Sequence, residues 1–233
     1  DTEDRPHYGM YVNIQGANNV FEVARWAGVQ RVVYASSIAV YGAQEIFGDR
    51  PVTEHDLPSP ITVYGLTKTA NDFAAGTYAD KFGLDVRGVR ICTVFGHGRT
   101  TGMTGMIGGL LMSLPAVGEP VSLPFDPDEA SSMIYCEDAA EIFVRIALSD
   151  RLRHRIYLSG GHLATIRDMA NVVRELIPDA AITTGDRVVP HVSLVDNSRM
   201  LADVGYELPP LRARILDHIN EARGEAGLPP VSG

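Results

Sequence analysis

Apolar side chains recur at helical spacing from residue 8 to residue 28 (Tyr11, Ile14, Val20, Phe21, Val23 and Ala24), and the pattern stops at Gly28. This predicts an amphipathic helix. Val32, Val33, Tyr34 and Ala35 then form a short, β-rich run suited to a strand buried on both faces. A proline-punctuated loop leads into a long helix over 63–82, closed by Gly83, and Val86 to Val94 reads as a second buried strand. After a glycine-rich loop at 96–105, the spacing predicts a helix near 106–114, a strand at Met133–Cys136 and a helix from Glu137 to Leu148. A strand at Ile156–Ser159 and helices near 166–176, 197–203 and 210–224 complete the pattern. Strands separated by helices predict an α/β fold, a mostly parallel sheet covered by helices. From residue 97 onward the pieces shorten, so the expected organisation is a sheet domain over 1–96. A smaller lobe over 97–233 would be interwoven with the last strands.

Composition narrows the class. The 233 residues are 45% hydrophobic and 21% charged, ordinary globular usage that excludes a disordered tail, a collagen-like fibre and a coiled coil. No stretch approaches the ~20 apolar residues of a membrane span. The formal net charge of -9, with no cluster of Lys and Arg, argues against nucleic acid and anionic membranes as partners. Cys92 and Cys136 cannot build a disulfide framework; both lie in apolar runs and read as small buried hydrophobes. The first residues, Asp-Thr-Glu-Asp-Arg-Pro, offer neither a basic nor an apolar segment, and a cytoplasmic setting is expected. The seven histidines show no paired ligand spacing, so no metal is expected.

The chemistry is concentrated in Tyr64-Gly65-Leu66-Thr67-Lys68. Tyr and Lys at i and i+4 share one face of a helix, one turn apart. An ammonium beside a phenol favours phenolate, which suits a general acid/base working near neutral pH. Spacing alone is common by chance. Upstream, however, Ser36 and Ser37 stand where a buried strand ends, followed by Val40-Tyr41-Gly42. In open parallel sheets, ligands sit beyond the carboxyl ends of the strands. A hydroxyl there can hold a substrate oxygen against the phenol.

The Ser-Ser strand end, the Val-Tyr-Gly turn and Pro-x-x-x-Tyr-x-x-x-Lys, in that order, resemble the extended short-chain dehydrogenase/reductase family of NAD-dependent sugar epimerases, dehydratases and dehydrogenases. Val12-Asn13-Ile14-Gln15-Gly16, Gly28 to Val33, Val94-Phe95-Gly96, Ile134 to Ala140 and Gly205-Tyr206 extend the resemblance along almost the whole chain. It implies a Rossmann-type sheet over 1–96 and a substrate-binding lobe over 97–233. By the same resemblance Ser37, Tyr64 and Lys68 form the catalytic triad. Tyr64 is the proton donor or acceptor, Lys68 bonds the nicotinamide ribose, and Ser37 orients the substrate oxygen. Asn13, Ser36, Tyr64 and Lys68 are the expected cofactor contacts, with NAD or NADP as cofactor. Thr93, His97 and Arg99 are the expected substrate contacts. A homodimer through the helices at 8–28 and 63–82 is also implied.

The departures from the family pattern bear on the substrate. The strand, Gly-rich turn and helix with which the family opens have no counterpart, since every Gly-rich stretch here follows Lys68. The expectation is that the first third of a family member is absent, which would leave an unpaired sheet edge. Ala130-Ser131-Ser132 stand where nucleotide-sugar enzymes carry an Arg for phosphate, and Thr93 stands where they carry Asn. Ile38-Ala39 replace the acidic pair of the dehydratases. The expected reaction is hydride transfer at a secondary alcohol or carbonyl of a small sugar-like or hydroxy-acid substrate. Two alternatives stand beside it. One is a nucleotide-sugar epimerase or dehydratase. The other is a non-catalytic, cofactor-binding regulatory protein or an inactive fragment.

Overall fold

The computed structural model describes residues 2–233. In chain order it begins with α1 (Pro6–Met10), a π turn over Tyr11–Gln15 and α2 (Gly16–Trp26), which continue one another as a single helical run. Then come β1 (Arg31–Ser37), α3 (Val63–Phe82), β2 (Asp85–Ile91) and β3 (Thr93–Phe95). The chain goes on with α4 (Gly102–Gly105), a second π turn, α5 (Leu111–Ala116), β4 (Val121–Phe125), β5 (Ala130–Tyr135) and α6 (Cys136–Leu148). It closes with β6 (Ile156–Leu158), β7 (His162–Thr165), α7 (Ile166–Leu176), β8 (Ile182–Arg187), α8 (Ser198–Val204) and α9 (Leu211–Glu225).

These elements fall into two compact units. The first comprises Asp1–Cys92, Ala139–Gly160 and Pro190–Tyr206; the second comprises Thr93–Asp138, Gly161–Val189 and Glu207–Gly233. The first unit contains a parallel sheet in the order β1-β2-β6, which leaves β1 on one edge. Register along it sets Ser36 opposite Arg90 and Ser37 opposite Ile91. Phe21 and Ala24 from α2 pack with Ala75 of α3 and with Leu84 and Val86, and Tyr34 and Tyr78 close around them. Along the β1 edge, Val20, Val23, Val29, Val32 and Val33 line an apolar groove.

The second unit holds two small sheets, β3-β5-β7 and β4-β8, around a core that includes Phe95, Leu111, Met112, Phe125, Met133 and Ile219. The single strand expected from Val86 to Val94 is interrupted at Cys92. Its backbone N–H donates to Ser159 Oγ at 3.0 Å, and the strand on either side pairs with different partners. β4, β7 and β8 had no expected counterpart. They are only 5, 4 and 6 residues long, and β4 carries a proline that obscures its alternation.

The two cysteines differ. Cys92 is buried, and burial pushes its thiol up to about 12. Cys136 is exposed, contrary to its reading as a buried hydrophobe. Its strand ends at the buried Tyr135, so Cys136 opens α6 and is no longer part of the buried strand.

Candidate active site

β1 delivers Ser36 and Ser37 at its carboxyl end, and α3 delivers Tyr64 and Lys68 in its first two turns. The sequence starts α3 firmly. Thr62 is extended (φ -129, ψ 154) and its Oγ1 accepts from the Gly65 N–H at 3.0 Å, while Glu3 Oε1 accepts from the Tyr64 N–H at 3.0 Å. Two of the helix's orphan donors are thereby satisfied. A Cβ at Gly65 would lie 2.4 Å from the carbonyl oxygen of Ala39, so only glycine lets α3 lie this close to the turn after β1.

Ser37 caps that turn. Its Oγ accepts from the Ala39 N–H at 3.1 Å, which leaves its O–H to donate. Lys68 Nζ donates to the Ala35 carbonyl at 2.9 Å and lies 5.4 Å from the centroid of the Tyr64 ring. The structure thus brings the ammonium beside the phenol ring and onto the serine strand. Burial lowers the Lys68 ammonium from its ordinary range, and the nearby Asp72 carboxylate opposes that shift. Tyr64 is exposed.

Ser36 and Asn13, the expected cofactor contacts, are placed differently. Ser36 is 1% exposed and its Oγ has no hydrogen-bond partner. Asn13 lies in the π turn packed on α3, where its Nδ2 donates to Thr67 Oγ1 at 3.0 Å and its carbonyl accepts from Asn71 Nδ2 at 3.1 Å. Thr67 Oγ1 in turn donates to the Tyr64 carbonyl at 2.7 Å, linking Asn13 to the backbone of the tyrosine.

Thr93, His97 and Arg99 belong to the second unit. Arg99 donates to the Val94 carbonyl at 2.8 Å and to Thr104 Oγ1. His97 bonds Ser113 Oγ at 3.2 Å and pairs with Glu225. No group of three or more His, Cys, Asp or Glu among the described residues has a metal-binding arrangement.

Behind the site lies a network that sequence spacing did not single out. Asp72, one turn beyond Lys68 on α3, accepts from Tyr34 Oη at 2.9 Å and from Arg90 Nε at 3.0 Å. Arg90 also donates to Tyr41 Oη at 2.5 Å, and Tyr41 donates to the Thr53 carbonyl at 2.8 Å. Burial, with Asp72 adding to it, pushes the Tyr34 phenol far up, so Tyr34 stays a donor. Tyr41 is pushed up to about 12, by burial first and against the pull of Arg90. The i+4 spacing of Lys68 and Asp72 was the available signal. The partner Arg90 comes from a separate strand, which spacing alone cannot reveal.

Comparison with known proteins fits this geometry. A model described as "NAD dependent epimerase/dehydratase family" matches residues 1–160. UDP-glucuronate 4-epimerase 6 of Arabidopsis thaliana is 40% identical over 86 residues, covering 36% of this chain and 18% of that protein. Across the curated relatives at the head of the comparison, the matched stretch spans about a quarter of their length, at 26% and 27%. The holo form of a GalE-like L-threonine dehydrogenase from Cupriavidus necator superposes with a TM-score of 0.84 at 26% identity, covering 94% of this chain and 74% of that one. A Thermus thermophilus UDP-glucose 4-epimerase in complex with NAD gives 0.83 at 23% identity, covering 96% and 73%. The parallel sheet with flanking helices is therefore the α/β arrangement of Rossmann-type epimerases and dehydrogenases. With the family model matching well over half of the residues, the chain belongs to the NAD-dependent epimerase/dehydratase family.

Proposed function

We propose that this protein oxidises a secondary alcohol, or reduces the matching carbonyl, on a small hydroxy compound, with Tyr64 as general acid/base. The observation that carries this reading is the position of Lys68. Its ammonium lies 5.4 Å from the centre of the Tyr64 ring while bonded to the Ala35 carbonyl, two residues before Ser37. NAD, when bound, supplies the acceptor for the hydride that an alcohol loses on oxidation.

The residues at the β1 end fit such a group. Ser36 offers a buried hydroxyl without a partner, and the Lys68 ammonium has three donors, of which the Ala35 bond uses one. A polyhydroxylated cofactor gives both something to bond. Lys68 and Ser36 would hold it, with Asn13 supporting from the π turn. In the oxidation direction Tyr64 takes the substrate's hydroxyl proton. Lys68 favours the phenolate form of Tyr64 that accepts this proton and leaves as neutral phenol, and Ser37 donates its O–H to the reacting oxygen. In the reduction direction the same proton returns from Tyr64. General acid/base help of this kind contributes typically ~10²–10⁴ in rate.

Two observations favour a small substrate. Ser131 and Ser132 occupy β5 where a phosphate-binding Arg would be expected. The structural likeness also includes L-threonine dehydrogenases, whose substrate is a small hydroxy amino acid. A second reading, epimerisation of a nucleotide sugar, is favoured by the curated relatives named as UDP-sugar 4-epimerases. The test is a panel in which L-threonine, other hydroxy acids, small polyols and UDP-sugars are each offered with NAD. NADH formation with the small alcohols supports the first reading. UDP-sugar interconversion without net NADH supports the second. Silence across the panel sinks both and favours a binding role.

We also propose a homodimer through the α1–α2 run and α3. Its support is the apolar surface those helices present: Tyr8, Tyr11, Leu66 and Phe73 are all exposed, Phe73 at 80%.

A further inference from the structure

We propose that Asp72 is a positioning residue for Lys68, its carboxylate clamped by Arg90 and Tyr34 so that it holds the lysine's charge in place beneath Tyr64. This rests on the reading of Lys68 given above.

Tyr64, Lys68 and Asp72 follow each other at intervals of four residues within α3, so they lie along one face of that helix. The outermost group is exposed and the innermost is sealed: the side chain of Asp72 is 9% exposed and that of Arg90 is 7% exposed. Asp72 cannot swing towards Lys68, because each carboxylate oxygen is taken. Oδ1 accepts from Tyr34 at 2.9 Å and Oδ2 from Arg90 at 3.0 Å. Lys68 is likewise fixed, through its bond to Ala35. What remains between them is a through-space attraction at fixed distance, strengthened by burial. Without it, the loss of hydration would act alone on the ammonium and disfavour its charge.

Among the described residues, the charged and titratable groups that bond or act with Asp72 include Lys68 on its own helix, Tyr34 from β1 and Arg90 from β2. Behind Arg90 stands Tyr41, on which Glu54 also acts. Asn13, which packs from the π turn, carries no charge. Arg90 divides its donors between Asp72 and Tyr41 and anchors the carboxylate through Oδ2.

The chain has only two lysines, Lys68 and the exposed Lys81, so the charge can be read directly. Reductive methylation with ¹³C-formaldehyde keeps both amines basic, and their NMR resonances are titrated with Lys81 as internal reference. Asp72→Asn should lower the Lys68 midpoint by about one pH unit and leave Lys81 in place. Because Asp72→Asn strands a buried guanidinium, the Asp72→Asn/Arg90→Gln double variant removes both charges together; its Lys68 midpoint should also fall. Arg90→Gln alone keeps the carboxylate and should not lower it. An unchanged Lys68 midpoint in the folded double variant overturns the proposal. So does Arg90→Gln lowering it as much as Asp72→Asn, since that would mean lost packing and not lost charge. The titration uses no substrate, so it reports on Asp72 even if the assignment of Tyr64 and Lys68 to catalysis fails its own test.

Discussion

A Cβ built on Gly65 falls 2.4 Å from the carbonyl oxygen of Ala39, so the helix bearing Tyr64 and Lys68 touches the turn bearing Ser37 backbone to backbone. This contact brings two elements separated by a 25-residue connection into one site. Gly65→Ala should therefore cost about 1–3 kcal/mol of stability by overpacking and lower turnover further than the stability loss explains. Urea unfolding and steady-state rates on the same protein check both halves. A variant with native stability and native rate would mean the contact yields freely.

The buried His218 predicts a pH dependence in the second unit. Burial first, then the neighbouring His97, lowers its ring from 6.5 to about 3, against a weaker opposing interaction with the Gly109 backbone. A base whose folded value is depressed binds fewer protons folded than unfolded between those two values. Its contribution therefore favours folding less as pH falls from about 6.5 towards 3. Between pH 7 and pH 5 the loss amounts to ~2 kcal/mol. His218→Gln should remove that part of the slope in urea titrations at the two pH values. The same slope in the variant would assign the effect to other groups.

The proposed dimer is tested at Phe73. An aspartate placed among apolar side chains at an interface should shift the protein to monomer by light scattering, with little change in melting temperature. A wild-type chain that is already monomeric at high micromolar concentration would remove this part of the account.

How much of this was legible in the sequence varies with the kind of signal. α3 begins at Val63 and ends at Phe82, as its periodicity and Gly83 predict, because a helix and its left-handed cap are written in local residues. The serine strand was equally plain, since β1 is apolar and ends on hydroxyls. β4, β7 and β8 were not legible. Each is short, and β8 in particular exposes five of its six residues, so no alternation marks it. Ser37, Tyr64 and Lys68 could be named from spacing and resemblance. The Asp72–Arg90–Tyr41 network could not, because its members come from a helix, a strand and a turn that meet only in the folded chain. The exposure of Cys136 was missed for a related reason: one residue's difference in where β5 ends decides whether its side chain faces core or solvent.

Proton transfer by Tyr64 underlies the proposed activity. The most direct measurement is the rate of NAD reduction by the wild-type protein and by Tyr64→Phe, on whichever substrate the panel identifies, with melting temperatures taken alongside. Removing the hydroxyl of a residue that is itself exposed should leave stability within about 0.5 kcal/mol while the rate falls by ~10²-fold or more. A Tyr64→Phe protein that is equally stable and turns over at the wild-type rate would contradict the account.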